Sequence, residues 1–224
     1  MNKYLFPIYA VIFGALIVTL TKNRNSKNTK LLLSFSGAFL LAITLFELLP
    51  EVYHHLEGKL TGILIMSGIV MQLFLESLSK GAEHGHLHVN KLNNTFPWLL
   101  FISLCIHSFL EGFPINQHND MVYGVLVHKI PIAILITGFL YDSKFNKLQT
   151  VLFLIVFAFM TPLGTIISNN VSSLAEYTNY INAFVIGIFL HISTIILFES
   201  SEGHKFNLSK LIAIVLAIVI AYFI

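Results

Sequence analysis

Residues 106–114 read Ile-His-Ser-Phe-Leu-Glu-Gly-Phe-Pro, and they lie in an apolar segment, 96–115, that is long enough to cross a bilayer. His107 and Glu111 are four residues apart, so on a helix they lie on the same face. Ionisable side chains are costly in hydrocarbon and usually mark a pathway or a site. An imidazole and a carboxylate one turn apart can bind one divalent cation, although a buried ion pair would also explain the spacing.

The next apolar segment carries a second histidine, His128, which is followed by Lys129 and Pro131. Two neighbouring membrane helices would then each have an imidazole near mid-depth. A lone membrane histidine is often a hydrogen-bonded core residue. Together, however, His107, Glu111 and His128 would supply the three N/O ligands of a cation site with an open position. Lys129 opposes this interpretation, because a fixed positive charge disfavours a bound cation.

The composition predicts an integral membrane protein with a single transmembrane domain over residues 1–224. Of the 224 residues, 56% are hydrophobic and 11% are charged, whereas about 25% are charged in a typical soluble domain. The one cysteine excludes a disulfide framework within a monomer and a multi-cysteine metal cluster. A net charge of +2 gives no reason to expect nucleic-acid binding. A Lys-, Asn- and Ile-rich composition suggests a multi-pass protein of a bacterial inner membrane.

Eight apolar segments have the length of about 20 residues that a membrane span needs. They are 4–21, 31–50, 60–79, 96–115, 121–141, 149–168, 180–199 and 207–224. The first lacks a small-residue cleavage site, so we interpret it as a retained span. Nearly all Lys and Arg residues outside the spans fall in loops after odd-numbered spans; only Lys3 and Lys59 fall on the opposite side. The positive-inside rule therefore places both termini outside and the histidine-containing loop 80–95 in the cytoplasm.

The expected fold class is an all-α bundle of eight transmembrane helices. Span 2 contains Gly37-Ala-Phe-Leu and span 7 contains Gly187-Ile-Phe-Leu, which is a weak internal likeness. We therefore expect three helices on either side of a central pair, related as an inverted repeat. Transporters often have this plan, with the substrate site near the membrane midplane.

Further histidines and carboxylates lie at the ends of the predicted spans. At the outer end of span 2 a group that would attract cations consists of Glu47, Glu51, His54 and His55. At the inner end of span 3 and in the following loop lie Glu76, His84, His86 and His88. Alternating histidines suit loose, exchangeable metal binding, and equally a solvated polar loop. His191 in span 7 is expected to be a packed, hydrogen-bonded residue rather than a ligand.

Four short motifs, in the same order, resemble those of the ZRT/IRT-like (ZIP) family of divalent metal transporters. They are Leu48-Leu-Pro-Glu51 at the end of span 2, His107-Ser-Phe-Leu-Glu111-Gly112 in span 4, His128-Lys129 in span 5 and Thr161-Pro-Leu-Gly164 in span 6. The resemblance covers nearly the whole chain by span count and orientation. It implies a fold of eight helices in which helices 4 and 5 form the transport site.

The resemblance also implies the import of Zn²⁺, or of a neighbouring metal, toward the cytoplasm. His107, Glu111 and His128 would be the metal ligands, and Ser108 stands where many relatives have an asparagine ligand of a second site. Two-metal relatives have an acidic residue at the position of Lys129 and a bridging Glu where this chain has Ile132. We therefore expect a single-metal site, completed by water or Ser108.

The mechanism expected from these features is alternating access around the midplane site. The outer group would attract the ion, and the inner group would receive it. Zn²⁺ suits an open N/O site, and Fe²⁺, Mn²⁺, Co²⁺ and Cd²⁺ would also fit imidazole ligands. Lys129 could pair with Glu111 in the empty site and be displaced by the ion. No resident cofactor is expected, and a homodimer is possible without any motif that supports it.

The alternative class is an intramembrane zinc hydrolase, in which a metal held by three histidines activates water. His107, His128 and His191 could supply such ligands, with Glu111 as the general base. That class usually needs an additional Ser or Asp partner, and no matching constellation is present. A cation-efflux protein would need Asp/His pairs on two other helices and a cytosolic C-terminal domain.

Overall fold

The computed structural model describes residues 3–21, 27–79, 96–116, 119–143, 145–199 and 208–224. Within these ranges the regular structure is helical and contains no strand. The α-helices, in chain order, are α1 (Phe6–Thr21), α2 (Lys27–Ile43), α3 (Leu49–His55), α4 (Gly58–Ser79), α5 (Trp98–Glu111), α6 (Met121–Asp142), α7 (Lys147–Asn170), α8 (Thr178–Glu199) and α9 (Leu208–Tyr222). Short 3-10 helices lie at Lys3–Leu5 and Ser172–Tyr177. The all-α class predicted from the sequence is confirmed.

Among the described residues, six helical segments are long and apolar enough to cross a membrane: Lys3–Thr21, Asn28–His55, Gly58–Ser79, Met121–Asp142, Lys147–Asn170 and Ser172–Phe198. The shorter apolar helices α5 and α9 have 14 and 15 residues. α5 ends earlier than the predicted span because a turn follows Glu111 and leads into Pro114. The eight-span topology, the side on which the termini lie and the inverted repeat stay predictions.

The second membrane segment is longer than its hydropathy predicted. α2 continues through a π-helical turn, Thr44–Leu48, directly into α3, so that the helix ends at His55 rather than at residue 50. Pro50 lies in the first turn of α3, where the change of helical register accommodates a residue without an N–H. Glu47 lies within the π-helical turn, and its carboxylate is half-buried.

The packing has the polarity expected for a bundle surrounded by lipid. Large apolar side chains such as Phe13, Phe74 and Phe198 are more than half exposed. Polar side chains such as Gln72 and Ser103 are fully buried between helices. α4 packs against α8, α1 against α6, α2 against α9 and α5 against α7, while α2 also contacts α6. The interior is therefore where charged and hydrogen-bonding groups meet.

α4 begins at a carboxylate cap outside the apolar core. Glu57 accepts hydrogen bonds from the backbone N–H groups of Lys59, at 3.0 Å, and Leu60, at 2.9 Å. These bonds stabilise the carboxylate form and hold the pKa of Glu57 below its ordinary value. The cap fixes the start of the helix that carries Glu76 near its other end.

Candidate metal centre

Three buried side chains from two helices converge inside the bundle. His107 and Glu111 lie on α5, His128 lies on α6, and none is more than 3% exposed. Their ligand atoms all lie within 4.8 Å of one another. Among the described residues, this is the only group of three His, Cys, Asp or Glu side chains with such geometry. We call it the central cluster.

One oxygen of the carboxylate is shared by both imidazoles. Glu111 Oε1 lies 2.8 Å from His107 Nε2 and 3.7 Å from His128 Nε2. Two ligand atoms of a tetrahedral Zn²⁺ with bonds near 2 Å are about 3.3 Å apart. The observed separations lie on either side of that value, so a rotation of the side chains would suffice to bring the three atoms around one ion.

The other carboxylate oxygen is bound to a lysine. Lys129 Nζ lies 2.6 Å from Glu111 Oε2, donates to Ser108 Oγ at 2.8 Å and stands 4.7 Å from the centre of the Phe157 ring. Lys129 and Glu111 are each 1% exposed. The two oxygens of Glu111 therefore face two different partners. Ser108 accepts from Lys129 here, and its role as a metal ligand stays a prediction.

The backbone hydrogen bonding of both ligand-bearing helices is incomplete close to the ligands. α5 ends at Glu111, and the chain turns at residues 112–114 before Ile115. α6 contains Pro131 three residues after His128. Pro131 has no N–H group, so it donates no hydrogen bond to a carbonyl of the preceding turn. Interrupted membrane helices often line a polar path, because freed carbonyl groups need partners other than lipid.

The outer group lies at and beyond the π-helical turn. Glu47 Oε2 accepts a hydrogen bond of 3.2 Å from the backbone N–H of Asp120, the residue that precedes α6. Glu51, His54 and His55 are exposed along α3. The structure thus connects Glu47 to the helix that carries His128, and it leaves the other three at the surface. The role of this group as an entrance for the ion stays a prediction.

The inner group is described only in part, because His84, His86 and His88 lie outside the described residues. Glu76 on α4 and His191 on α8 form a contact of 2.7 Å between Oε2 and Nε2. His191 is therefore hydrogen-bonded and packed between helices. It is not a member of the central cluster, which leaves the hydrolase alternative without its third histidine.

Two features of this region were missed by the sequence analysis. The Glu76–His191 pair joins residues that are 115 positions apart, and no local pattern links them. Hydroxyl and amide side chains of α7 bind the backbone that follows the ligands of α5. The motif at Thr161 was a signal for the second feature, but its partners could not be identified without the fold.

Comparison with known proteins identifies the family to which this chain is similar. The family described as ZIP Zinc transporter matches residues 79–224. Zinc transporter ZIP1 of Danio rerio is 25% identical over 182 residues, covering 58% of this chain and 60% of that protein. Zinc transporter ZIP1 of Plasmodium falciparum is 30% identical over 135 residues, covering 56% of this chain and 38% of that protein. Protein zntD of Dictyostelium discoideum is 24% identical over 151 residues, covering 57% and 22%.

The chain thus spans less than two thirds of the length of each of these curated relatives. All three relatives are eukaryotic, and a bacterial inner membrane stays a prediction. The family match covers more than half of the chain and includes every residue of the central cluster. Together with the membrane-spanning apolar helices, this match makes the chain a member of the ZIP zinc transporter family.

Proposed function

We propose that this chain transports a divalent transition-metal cation, with zinc as the main substrate, across a membrane through the central cluster. The observation that carries this proposal is the burial of two imidazoles and one carboxylate, from two neighbouring helices, with all ligand atoms within 4.8 Å. Ionisable groups at such a depth in an apolar bundle usually belong to an ion pathway. The ion is the substrate, and the protein acts as a transporter rather than as an enzyme.

The ligand set favours zinc among the common divalent cations. Two imidazoles and a carboxylate are typical zinc ligands, and three protein ligands leave a position open for exchange. Mg²⁺ and Ca²⁺ prefer sites made of oxygen ligands. Fe²⁺, Mn²⁺, Co²⁺ and Cd²⁺ remain chemically compatible. The family name and the names of two relatives support zinc.

The contacts of Glu111 suggest why the affinity for the metal ion stays low enough for the ion to be released. The ion would bind Oε1 together with both imidazoles, while Lys129 keeps Oε2. The ammonium would then compensate the charge of Glu111, so the dication adds net positive charge to a buried site. A second metal ion beside Lys129 is disfavoured for the same reason. Displacement of Lys129 by the ion is therefore unnecessary in this account.

Transport requires a route on both sides of the cluster. The outer group at α3 would collect cations. Its member Glu47 accepts a hydrogen bond from the residue that precedes α6, the helix that carries His128. Glu76 would receive the ion on the inner side together with the histidine-containing loop. The excess of Lys and Arg in the loops after odd-numbered spans would place this inner side in the cytoplasm. Resemblance to the family is the basis for proposing import in that direction. Alternating access is the mechanism that a buried site between two helices favours.

The test is uptake of radioactive ⁶⁵Zn²⁺ into proteoliposomes that contain purified protein. We expect saturable uptake by the wild type, and no uptake above empty vesicles for Glu111→Ala or His128→Ala. Glu176→Ala is the matched control, because this carboxylate is exposed in the 3-10 helix before α8. All variants are first checked for monodisperse elution and cooperative thermal unfolding.

Wild-type uptake no greater than that of empty vesicles, for zinc and for the four other metals, would contradict the proposal. Uptake that survives both cluster substitutions would show that another route carries the ion. Uptake into vesicles in which the orientation of the protein is known also tests the direction of transport. Import predicts that zinc enters from the extracytoplasmic face of the protein.

A further inference from the structure

The backbone loses helical hydrogen bonds directly beside the metal ligands. The N–H of Gly112 bonds to the carbonyl of Phe109, at 3.2 Å, instead of reaching back four residues to Ser108. The N–H of Phe113 likewise bonds to Leu110, at 3.2 Å. This tighter turn leaves the Ser108 carbonyl without its helical donor. In an apolar environment such a carbonyl needs another partner.

α7 supplies the missing donor to the Ser108 carbonyl, and it adds a second donor to the Gly112 carbonyl, which also accepts from the N–H of Ile115 at 3.3 Å. Thr161 Oγ1 donates to the Ser108 carbonyl at 2.9 Å, and Thr165 Oγ1 donates to the Gly112 carbonyl at 2.8 Å. Both threonines are at most 1% exposed. The series continues beyond the turn with two bonds of 2.8 Å, from Ser168 Oγ to the Phe113 carbonyl and from Asn169 Nδ2 to the Ile115 carbonyl.

The hydroxyl of Thr161 donates to a neighbouring helix, whereas that of Thr165 donates both across the contact and to the Thr161 carbonyl of its own helix, at 3.1 Å. A serine or threonine within a helix commonly donates to a carbonyl of its own preceding turn. Thr44 and Thr194 do so in this protein, with bonds to Leu40 and Leu190. Thr161, by contrast, donates to another helix 53 residues away in the sequence. Its hydroxyl therefore acts on the ligand-bearing segment rather than on its own helix.

Close approach of α5 and α7 makes the bonds possible. A Cβ on Gly112 would overlap the carbonyl oxygen of Thr161, and a Cβ on Gly164 would overlap the carbonyl oxygen of Phe109. Each glycine thus lets the other helix come close enough for a threonine hydroxyl to reach a backbone carbonyl. The two glycines and the hydrogen-bond donors of α7 therefore belong to one contact surface between α5 and α7.

We propose that Thr161 and Thr165 are positioning residues for the metal centre, although neither supplies a ligand. Ser108 follows His107, and Gly112 follows Glu111, so each carbonyl held by a threonine lies one residue after a ligand. Fixing both carbonyls fixes the direction in which the imidazole and the carboxylate leave α5. The affinity for the ion then depends on a helix outside the coordination sphere. This inference rests on the proposed function, because it assumes that the central cluster binds the ion.

The test compares Thr161→Val with Thr161→Ser by isothermal titration with Zn²⁺ in detergent. Valine has the shape of threonine but no donor, and serine retains the donor. We expect the Kd for zinc to rise roughly tenfold in the valine variant, as loss of a partner for a buried carbonyl implies, and to stay near the wild-type value in the serine variant. Thr194→Val is the matched control, since Thr194 donates only within its own helix.

A second readout works without metal. Amide hydrogen exchange at Gly112, Phe113 and Ile115 is expected to be faster in Thr161→Val than in the wild type, and unchanged in Thr194→Val. Thr165→Val provides the same comparison at the second carbonyl, should Thr161→Val fail to fold. In uptake assays the same variants are expected to raise KM more than they lower kcat, because the change acts on binding.

The inference would be overturned by a wild-type Kd and wild-type exchange in the valine variants. An equal rise of the Kd for zinc in Thr161→Val and Thr161→Ser would also overturn the inference, since the loss of packing rather than of the hydroxyl would then explain the weaker binding. Absence of zinc binding by the folded wild type would instead contradict the proposed function. The metal-free exchange measurement separates these two failures.

Discussion

Replacement of Lys129 by Met isolates the role of the ammonium beside the metal centre. Methionine retains an unbranched, flexible side chain of similar length, so packing changes less than charge does. Lys129 Nζ lies 2.6 Å from Glu111, and both side chains are 1% exposed. Removing one partner of a buried ion pair typically costs about 3–5 kcal/mol, because the other charge is left uncompensated. We expect the metal-free protein to lose unfolding free energy of this size.

Zinc is expected to restore much of that loss. The dication would supply the positive charge that the variant lacks next to Glu111, and the repulsion between ion and ammonium would be absent. Recovery of half the loss corresponds to zinc affinity roughly tenfold to sixtyfold higher than that of the wild type. Tighter binding should slow release, so the maximal uptake rate should fall even though the apparent affinity rises.

Thermal unfolding in detergent, with and without zinc, and isothermal titration measure these effects. Lys147→Met is the matched control, since Lys147 is exposed at the start of α7. The zinc-dependent stabilisation should be larger for Lys129→Met than for either the control or the wild type. The reasoning would be refuted if Lys129→Met left zinc affinity and uptake rate unchanged, or if zinc failed to reduce its destabilisation.

Three further predictions concern the parts of the bundle that surround the site. Gly112→Ala should destabilise the protein by about 1–3 kcal/mol, because its Cβ would overlap the backbone of α7, whereas Gly62→Ala meets no atom within 4 Å and should not. Chemical or thermal unfolding of the two variants checks this. Alanine substitutions of Glu76 and His191 should show a coupling energy of about 0.5–3 kcal/mol in a double-mutant cycle, since their side chains are 2.7 Å apart; additive effects would contradict the pair. The pKa of Glu57 is lowered, so its contribution to stability is present above the ordinary value of 4.5 and disappears as the pH falls through the lower folded-state pKa. Below pH 4.5 the stability of Glu57→Gln should therefore fall less steeply than that of the wild type.

The membrane class and the central cluster could be predicted from local features of the chain. A composition with 56% hydrophobic residues permits little other than a membrane bundle. The spacing of His107 and Glu111 places them on one helical face, and the next apolar segment supplied His128 as a third candidate ligand. The helical class and the proximity of the three side chains are confirmed, because helix periodicity and hydropathy are local properties, and metal binding by the three stays a prediction.

Contacts between distant segments could not be predicted in the same way. Hydropathy gave the apolar segment 96–115, but the helix ends at Glu111, because the turn before Pro114 replaces its last residues. The pairing of Glu76 with His191 depends on how α4 and α8 pack. The pairing of Lys129 with Glu111, which was predicted for the empty site, is present at 2.6 Å, and displacement of Lys129 by the ion stays a prediction that the proposed mechanism does not require. Assigning these side-chain partners requires the positions of the side chains, which the spacing of residues in the sequence does not supply.

The most direct test of the central claim is the zinc K-edge X-ray absorption spectrum of the loaded protein. The account predicts one zinc per chain with N/O ligands at about 2.0–2.1 Å, no sulfur ligand and scattering from two imidazoles. In His128→Ala the imidazole contribution should fall from two rings to one. An unchanged spectrum in that variant, or a wild-type spectrum without imidazole scattering, would contradict the assignment of His107, Glu111 and His128 as the metal centre.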